Sequence, residues 1–202
     1  YQPIVDAHTG KAAGIELLMR WQSSQGLIAP AGFIGIAEEL GLIIPMTEAA
    51  LERGLVDLKE WHKQRPALYL SVNLSPQHLA KTSLVSYIAN LLAVHNLPAR
   101  LLKIEVTESA LLSEPEQAIK TMQALSELGV ILALDDFGTG FSSLSYLKQL
   151  PLDIIKIDRS FVSGIGIEKT DEAIVDATIV LAKQLNMHCI AEGVETTEQL
   201  EY

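Results

Sequence analysis

The sequence predicts an α/β fold in which short parallel strands alternate with amphipathic helices and curl toward a barrel. Three observations carry this. Short apolar runs recur along the chain, and most lack clean in/out alternation, as expected of parallel strands covered on both faces. Stretches of helical periodicity with readable ends separate them. The last residues of successive strands stand roughly 20–40 positions apart, the length of a βα unit, and right-handed crossovers bring such ends to one rim. Eight such units close a barrel.

In chain order, Tyr1 to Val5 and Gly14 to Leu18 flank the polar turn Asp6-Ala7-His8-Thr9-Gly10, which predicts an antiparallel first pair. Thr47 is expected to cap a helix whose Leu51, Leu55, Leu58 and Trp61 face inward. Strands follow at Leu68 to Asn73 and Leu101 to Val106. Ser113-Glu114-Pro115-Glu116 has capping-box spacing, with Pro in the first turn, where its missing N–H costs nothing. Ile119, Met122, Leu125 and Leu128 continue that helix to Gly129. Val130 to Asp135 and Ile154 to Asp158 read as strands, Thr170-Asp171-Glu172 opens a helix carrying Ile174, Leu181 and Leu185, and Met187 to Glu192 closes the series. These seven strands stop short of closure.

The composition bounds the function. Of 202 residues, 25 are Asp or Glu and 15 are Lys or Arg, a net charge of −10. That sign repels polyphosphates, and no basic patch offsets it, so polymeric nucleic acid and anionic membranes are not expected partners. No apolar run approaches a membrane span, and no linker divides the chain. The single cysteine, Cys189, lies in an apolar run and is expected to be a buried thiol in a reducing, cytoplasmic compartment. Opening on Tyr1 inside an expected strand, residues 1–202 read as one domain of a larger, multidomain protein, the cytoplasmic part of a membrane-anchored one included.

The chemistry lies where the strands end. Glu16, Asn73, Glu105, Asp135, Asp136, Lys156 and Glu192 each stand within or close an apolar strand. In a barrel such residues converge on the catalytic rim, where so many carboxylates cannot all stay ionised and unpaired. Protonation or divalent cations must resolve the repulsion. Oxygen ligands without a His or Cys cluster favour Mg²⁺ or Mn²⁺ over zinc. Of the adjacent Asp135 and Asp136, the second can turn onto the rim at a strand end, so that one bridges two ions about 3.5–4 Å apart, as in two-metal phosphoester hydrolysis. Lys156, inside an apolar strand, either orients an attacking water or pairs with a nearby carboxylate.

Read in order, Tyr1-Gln2-Pro3-Ile4-Val5, Glu16-Leu17-Leu18-Met19-Arg20-Trp21, Ser71-Val72-Asn73-Leu74-Ser75, Glu105-Val106-Thr107-Glu108, Asp135-Asp136-Phe137-Gly138-Thr139-Gly140, Lys156-Ile157-Asp158 and Ala191-Glu192-Gly193-Val194-Glu195 closely resemble EAL-domain proteins, the bacterial cyclic di-GMP phosphodiesterases. The resemblance implies a TIM-like (β/α)8 barrel with an antiparallel first strand, hydrolysing cyclic di-GMP to linear pGpG with two Mg²⁺ or Mn²⁺ ions. Glu16, Asn73, Glu105 and Asp135 would ligate one metal, and Asp135 and Asp136 would share the second. Lys156 and Glu192 would hold the nucleophilic water. Glu108 would brace the loop from Asp136 to Ser143. Gln2, Met19 and Arg20 would contact the dinucleotide, and Gly193, Val194 and Glu195 would line the site. A homodimer and a fused sensor or diguanylate cyclase domain are also common arrangements in the family.

Three positions depart from the family pattern. Leu17 replaces the usual Ala of the signature triplet, Gly35 stands where Pro is common, and the chain ends at Tyr202, ahead of the final strand and its following glutamine. Two other functions compete with hydrolysis. A cyclic di-GMP sensor that does not cleave would usually have lost a motif acid, and none expected before Tyr202 is missing. A Schiff-base aldolase built on Lys156 would leave the row of acids unexplained.

Overall fold

The computed structural model describes residues 1–113, 115–139 and 147–202. Strands β1 (Gln2–Val5) and β2 (Ala12–Leu17) pair antiparallel. Asp6 holds their turn by accepting hydrogen bonds from the Thr9 backbone N–H and hydroxyl. A small hairpin, β3 (Trp21–Ser23) with β4 (Gly26–Ile28), then stands apart from the main sheet. Three-residue strands carry too little periodicity to be read in advance.

From β2 onward the main sheet is parallel, through β5 (Tyr69–Asn73), β6 (Leu102–Thr107), β7 (Ile131–Phe137), β8 (Ile154–Ile157) and β9 (His188–Ala191). The order β1-β2-β5-β6-β7-β8-β9 is the curled half-barrel with an antiparallel first strand that the sequence predicts. Each strand lies within a few residues of its expected limits.

Helices α1 (Ile34–Glu39), α2 (Ile43–His62), α3 (Pro76–Leu79), α4 (Leu84–His95), α5 (Glu108–Ser113), α6 (Pro115–Leu128), α7 (Arg159–Val162), α8 (Lys169–Gln184) and α9 (Thr197–Glu201) connect and follow the strands. Leu70, Val72, Leu102, Ile104, Leu132 and Ile155 of the sheet share one buried core with Leu51, Leu55 and Leu58 of α2, Ile88 of α4, and Met122 and Leu125 of α6. Burying these side chains is the main favourable term in folding. It also leaves the opposite face of the strands free to carry polar groups.

Three expectations change. Helix α2 begins at Ile43, so Thr47 is a buried residue inside it rather than its cap. Pro45 sits in the first turn, where its missing N–H is not needed. Helix α8 likewise starts one residue before Thr170, with Glu168 at its N-cap. Cys189 is exposed, not buried, because β9 is the last strand of the described sheet and lacks the neighbour that would cover it. Glu114, part of the expected capping box, lies outside the described residues.

Candidate active site

Alternation along the strands sets the site. On β5, Leu70 and Val72 join the core, so Ser71 and Asn73 face the barrel interior; on β6, Leu102, Ile104 and Val106 do the same, leaving Glu105 inside. Register then brings neighbours together. Glu16 lies opposite Ser71, Asn73 opposite Glu105, and Thr107 opposite Asp135.

Lys156 of β8 occupies the centre. Its Nζ lies 2.5 Å from Glu192 Oε1, 3.1 Å from Asp135 Oδ1 and 3.8 Å from Glu16 Oε2, and it donates a hydrogen bond to Glu105 Oε2. Glu105, fully buried, also accepts from Ser71 Oγ through Oε1. Asn73 Nδ2 donates to Glu16 Oε1 at 2.8 Å, which leaves the Asn73 carbonyl oxygen free of that bond. Residues far apart in sequence thus meet around one ammonium. Of the two alternatives left open for Lys156, pairing with nearby carboxylates is the one the structure contains.

Asp135 and Asp136 owe their joint position to a backbone irregularity. The β7–β8 register runs Ala133 to Ile154 and Leu134 to Ile155, then resumes at Phe137 with Ile157, so both aspartates fall opposite the single residue Lys156. Asp136 has φ 54°, the left-handed region that Asp tolerates better than most residues. Such a β-bulge re-aims a side chain. Carboxylate oxygens of Asp135, Asp136 and Glu192 lie within 4.8 Å of one another, a group able to hold a metal ion. Glu192, read from the sequence as a holder of water, thereby joins the cluster of candidate ligands.

Burial and mutual repulsion set the charges. Burial pushes the Glu105 carboxyl up to about 7, opposed by the Lys156 ammonium and reinforced by Glu16. Burial, Asp135 and Asp158 raise Asp136. Burial raises Glu192 as well, with Lys156 opposing. Burial alone would lower Lys156, but Glu105, Asp135, Glu16 and Glu192 outweigh it and raise its pKa above the ordinary lysine range. The ammonium stays charged and the acids compete for it.

Two cavities open beside this cluster, sharing Leu18. One of about 320 Å³ is lined by Tyr1, Gln2, Pro3, Leu18 and Arg20. The other, about 220 Å³ and mostly apolar, includes Leu18, Met19, Asn73, Pro76 and Thr107 in its wall. Gln2, Met19 and Arg20 are therefore gathered at one end of the site. On the opposite side Gly193, at φ 69°, turns the chain after β9, Val194 is partly exposed, and Glu195 pairs with Arg159 at 2.7 Å. Both carboxylate oxygens of Glu108 are buried with no hydrogen-bond partner among the described residues. Gly140 to Ser143, part of the loop Glu108 is expected to brace, lies outside those residues. Sequence reasoning missed Ser71; its only signal was its place two residues before Asn73 on the same strand face.

The model of the EAL domain family matches residues 1–202, the full length of the chain. The chain belongs to the EAL domain family. Among its relatives, this EAL domain is 42% identical to cyclic di-GMP phosphodiesterase NbdA of Pseudomonas aeruginosa over 204 residues, covering 100% of the chain and 26% of the relative. It is 40% identical to the bifunctional diguanylate cyclase/cyclic di-GMP phosphodiesterase MucR of the same organism, covering 100% of the chain and 30% of that protein. The chain thus spans less than a third of either relative. The solved structure described as the PaMucR phosphodiesterase in complex with c-di-GMP superposes with a TM-score of 0.94 at 40% identity, over 100% of the chain and 82% of that structure. No helix among the described residues is long and apolar enough to cross a membrane.

Proposed function

We propose that this EAL domain hydrolyses cyclic di-GMP to linear pGpG and depends on divalent cations to do so. The observation that carries the reading is the acid cluster around Lys156, completed at its mouth by Asp135, Asp136 and Glu192. The names of the relatives support the substrate.

The donor set fits Mg²⁺ or Mn²⁺, since it offers carboxylate oxygens and the Asn73 carbonyl with no soft ligand. Glu16, Asn73, Glu105 and Asp135 would hold one ion, with Asp135, Asp136 and Glu192 around a second. Bound there, the cations would supply Lewis acidity toward a phosphoryl oxygen and toward the attacking and leaving oxygens. Lys156 and Glu192, in direct contact at 2.5 Å, would orient the attacking water beside their ion pair. The water oxygen bonds to phosphorus, one bridging P–O bond breaks, and the water's proton ends on the departing ribose oxygen. Gln2, Met19 and Arg20 hold the dinucleotide, with Arg20 reaching a phosphate and the apolar cavity at Met19 accepting a base. Gly193, Val194 and Glu195 line the opposite wall. Glu108 positions the loop that begins at Asp136. Within a whole protein, the same reading makes residues 1–202 a cytoplasmic module beside a cyclase or sensor domain, acting as a homodimer.

The test is purified protein incubated with cyclic di-GMP and Mg²⁺ or Mn²⁺, with products resolved by chromatography. Release of pGpG, stopped by EDTA and restored by Mg²⁺, is expected. Binding without pGpG release would make the domain a sensor instead. Glu16→Ala, Glu105→Ala and Lys156→Ala should each lower turnover by about 100-fold or more, the scale for losing a central electrostatic element. A variant within about threefold of the parent would remove that residue from the machinery.

A further inference from the structure

We infer that Ser71 is a positioning residue for the divalent-cation site, acting through Glu105; the inference rests on reading the acid cluster as that site. Ser71 is 1% exposed and Glu105 0%, so bulk solvent does not reach either group. The serine hydroxyl donates to Glu105 Oε1 while Lys156 donates to Oε2. An ionised carboxylate only accepts, and it has about four lone-pair sites. Donors on both oxygens fix the plane of the carboxylate and the direction of the sites that remain. Hydrogen bonds behind a ligand set its orientation and its affinity for metal in the same way.

Filling the barrel does not require this hydroxyl. Ala133, opposite Glu105 in register, and Ile154, opposite Ala133, are apolar and buried. Serine is also a poorer strand former than the valine that follows it. Glu105 is the side-chain partner that the Ser71 hydroxyl has, and it lies 34 residues away on a neighbouring strand. Without the hydroxyl, Oε1 would be buried with its donor gone, an arrangement that favours rotation or protonation of the carboxylate over a fixed ligand.

The experiment is Mn²⁺ titration of the intact protein without substrate, followed by electron paramagnetic resonance of free Mn²⁺ and by calorimetry. Ser71→Ala should bind Mn²⁺ roughly 10–100-fold more weakly than the parent. Ser71→Thr, which keeps the hydroxyl and suits a strand, should return to within about threefold. Thermal unfolding checks that each variant is folded; if Ser71→Ala is not, Ser71→Cys, a near-isosteric weak donor, should show the weakening instead. Parent-like Mn²⁺ affinity in the folded variant that lacks the hydroxyl overturns the inference. So does equal loss in Ser71→Thr, which would make the effect one of packing. A parent that binds no Mn²⁺ would bring down the reading of the site itself, a result distinguishable from parent and variant binding equally.

Discussion

Asp136 shows how one residue's backbone decides the chemistry. Its φ of 54° costs an ordinary side chain about 1–2 kcal/mol, and Asp tolerates this region better than most residues. The bulge it creates puts two carboxylates opposite Lys156 where a regular strand would offer one. Asp136→Gly should therefore keep or raise the melting temperature, since Gly adopts this conformation freely, while turnover falls by about 100-fold or more. Calorimetry and the product assay check the two halves separately. His78 offers a residue-scale test away from the acids. Its ring is 1% exposed, Nδ1 lies 2.8 Å from Ser75 Oγ, and burial holds its pKa below the ordinary 6.5. Above that value both folded and unfolded chains carry it neutral. Below it the unfolded chain takes a proton that the folded ring refuses, so stability falls with pH by up to about 1.4 kcal/mol per unit. His78→Gln should flatten the pH dependence of the melting temperature between about pH 7 and 5.

The strands divide their two faces between core and chemistry. On β5, Leu70 and Val72 are buried against helices while Tyr69, Ser71 and Asn73 face inward, from barrel floor to rim. At the floor, the Tyr69 ring lies under Lys103 Nζ at 3.5 Å and over Gly14 of β2. A Cβ on Gly14 would sit 2.1 Å from that ring, so this position has room only for hydrogen. Gly14→Ala should cost about 1–3 kcal/mol through overpacking, read as a lowered denaturant midpoint. Because Glu16 follows two residues along the same strand face, the variant should lose activity as well as stability.

At the scale of the molecule, the larger of two buried clusters supports the rim. Leu132 is fully buried in it, and Asp135, three positions on, carries a rim carboxylate on the same strand. Leu132→Ala should cost about 2–5 kcal/mol, measured by denaturant unfolding, and should shift the midpoint more than the slope. The net charge of −10 opposes a phosphate ligand, so the proposed substrate would be received by cations and placed donors instead of by the overall field.

The alternation of strands and helices was legible because period and punctuation are local properties. Apolar runs ending in Asn73, Glu105, Asp135 and Glu192 mark strands whose tips carry polar groups, whatever surrounds them. Helical periodicity also assigned Leu51, Leu55, Leu58 and Met122 to the core, where they lie. What the tertiary structure alone decided depends on register and on backbone angles that no spacing encodes. The bulge that pairs Asp135 with Asp136, the hydroxyl of Ser71 behind Glu105, and the inclusion of Glu192 with the two aspartates all follow from how neighbouring strands slide past one another. Cys189 is exposed for the same kind of reason, since an apolar run is buried only where a neighbour covers it. Sequence determines which groups a strand can present; the pairing of strands determines which of them meet.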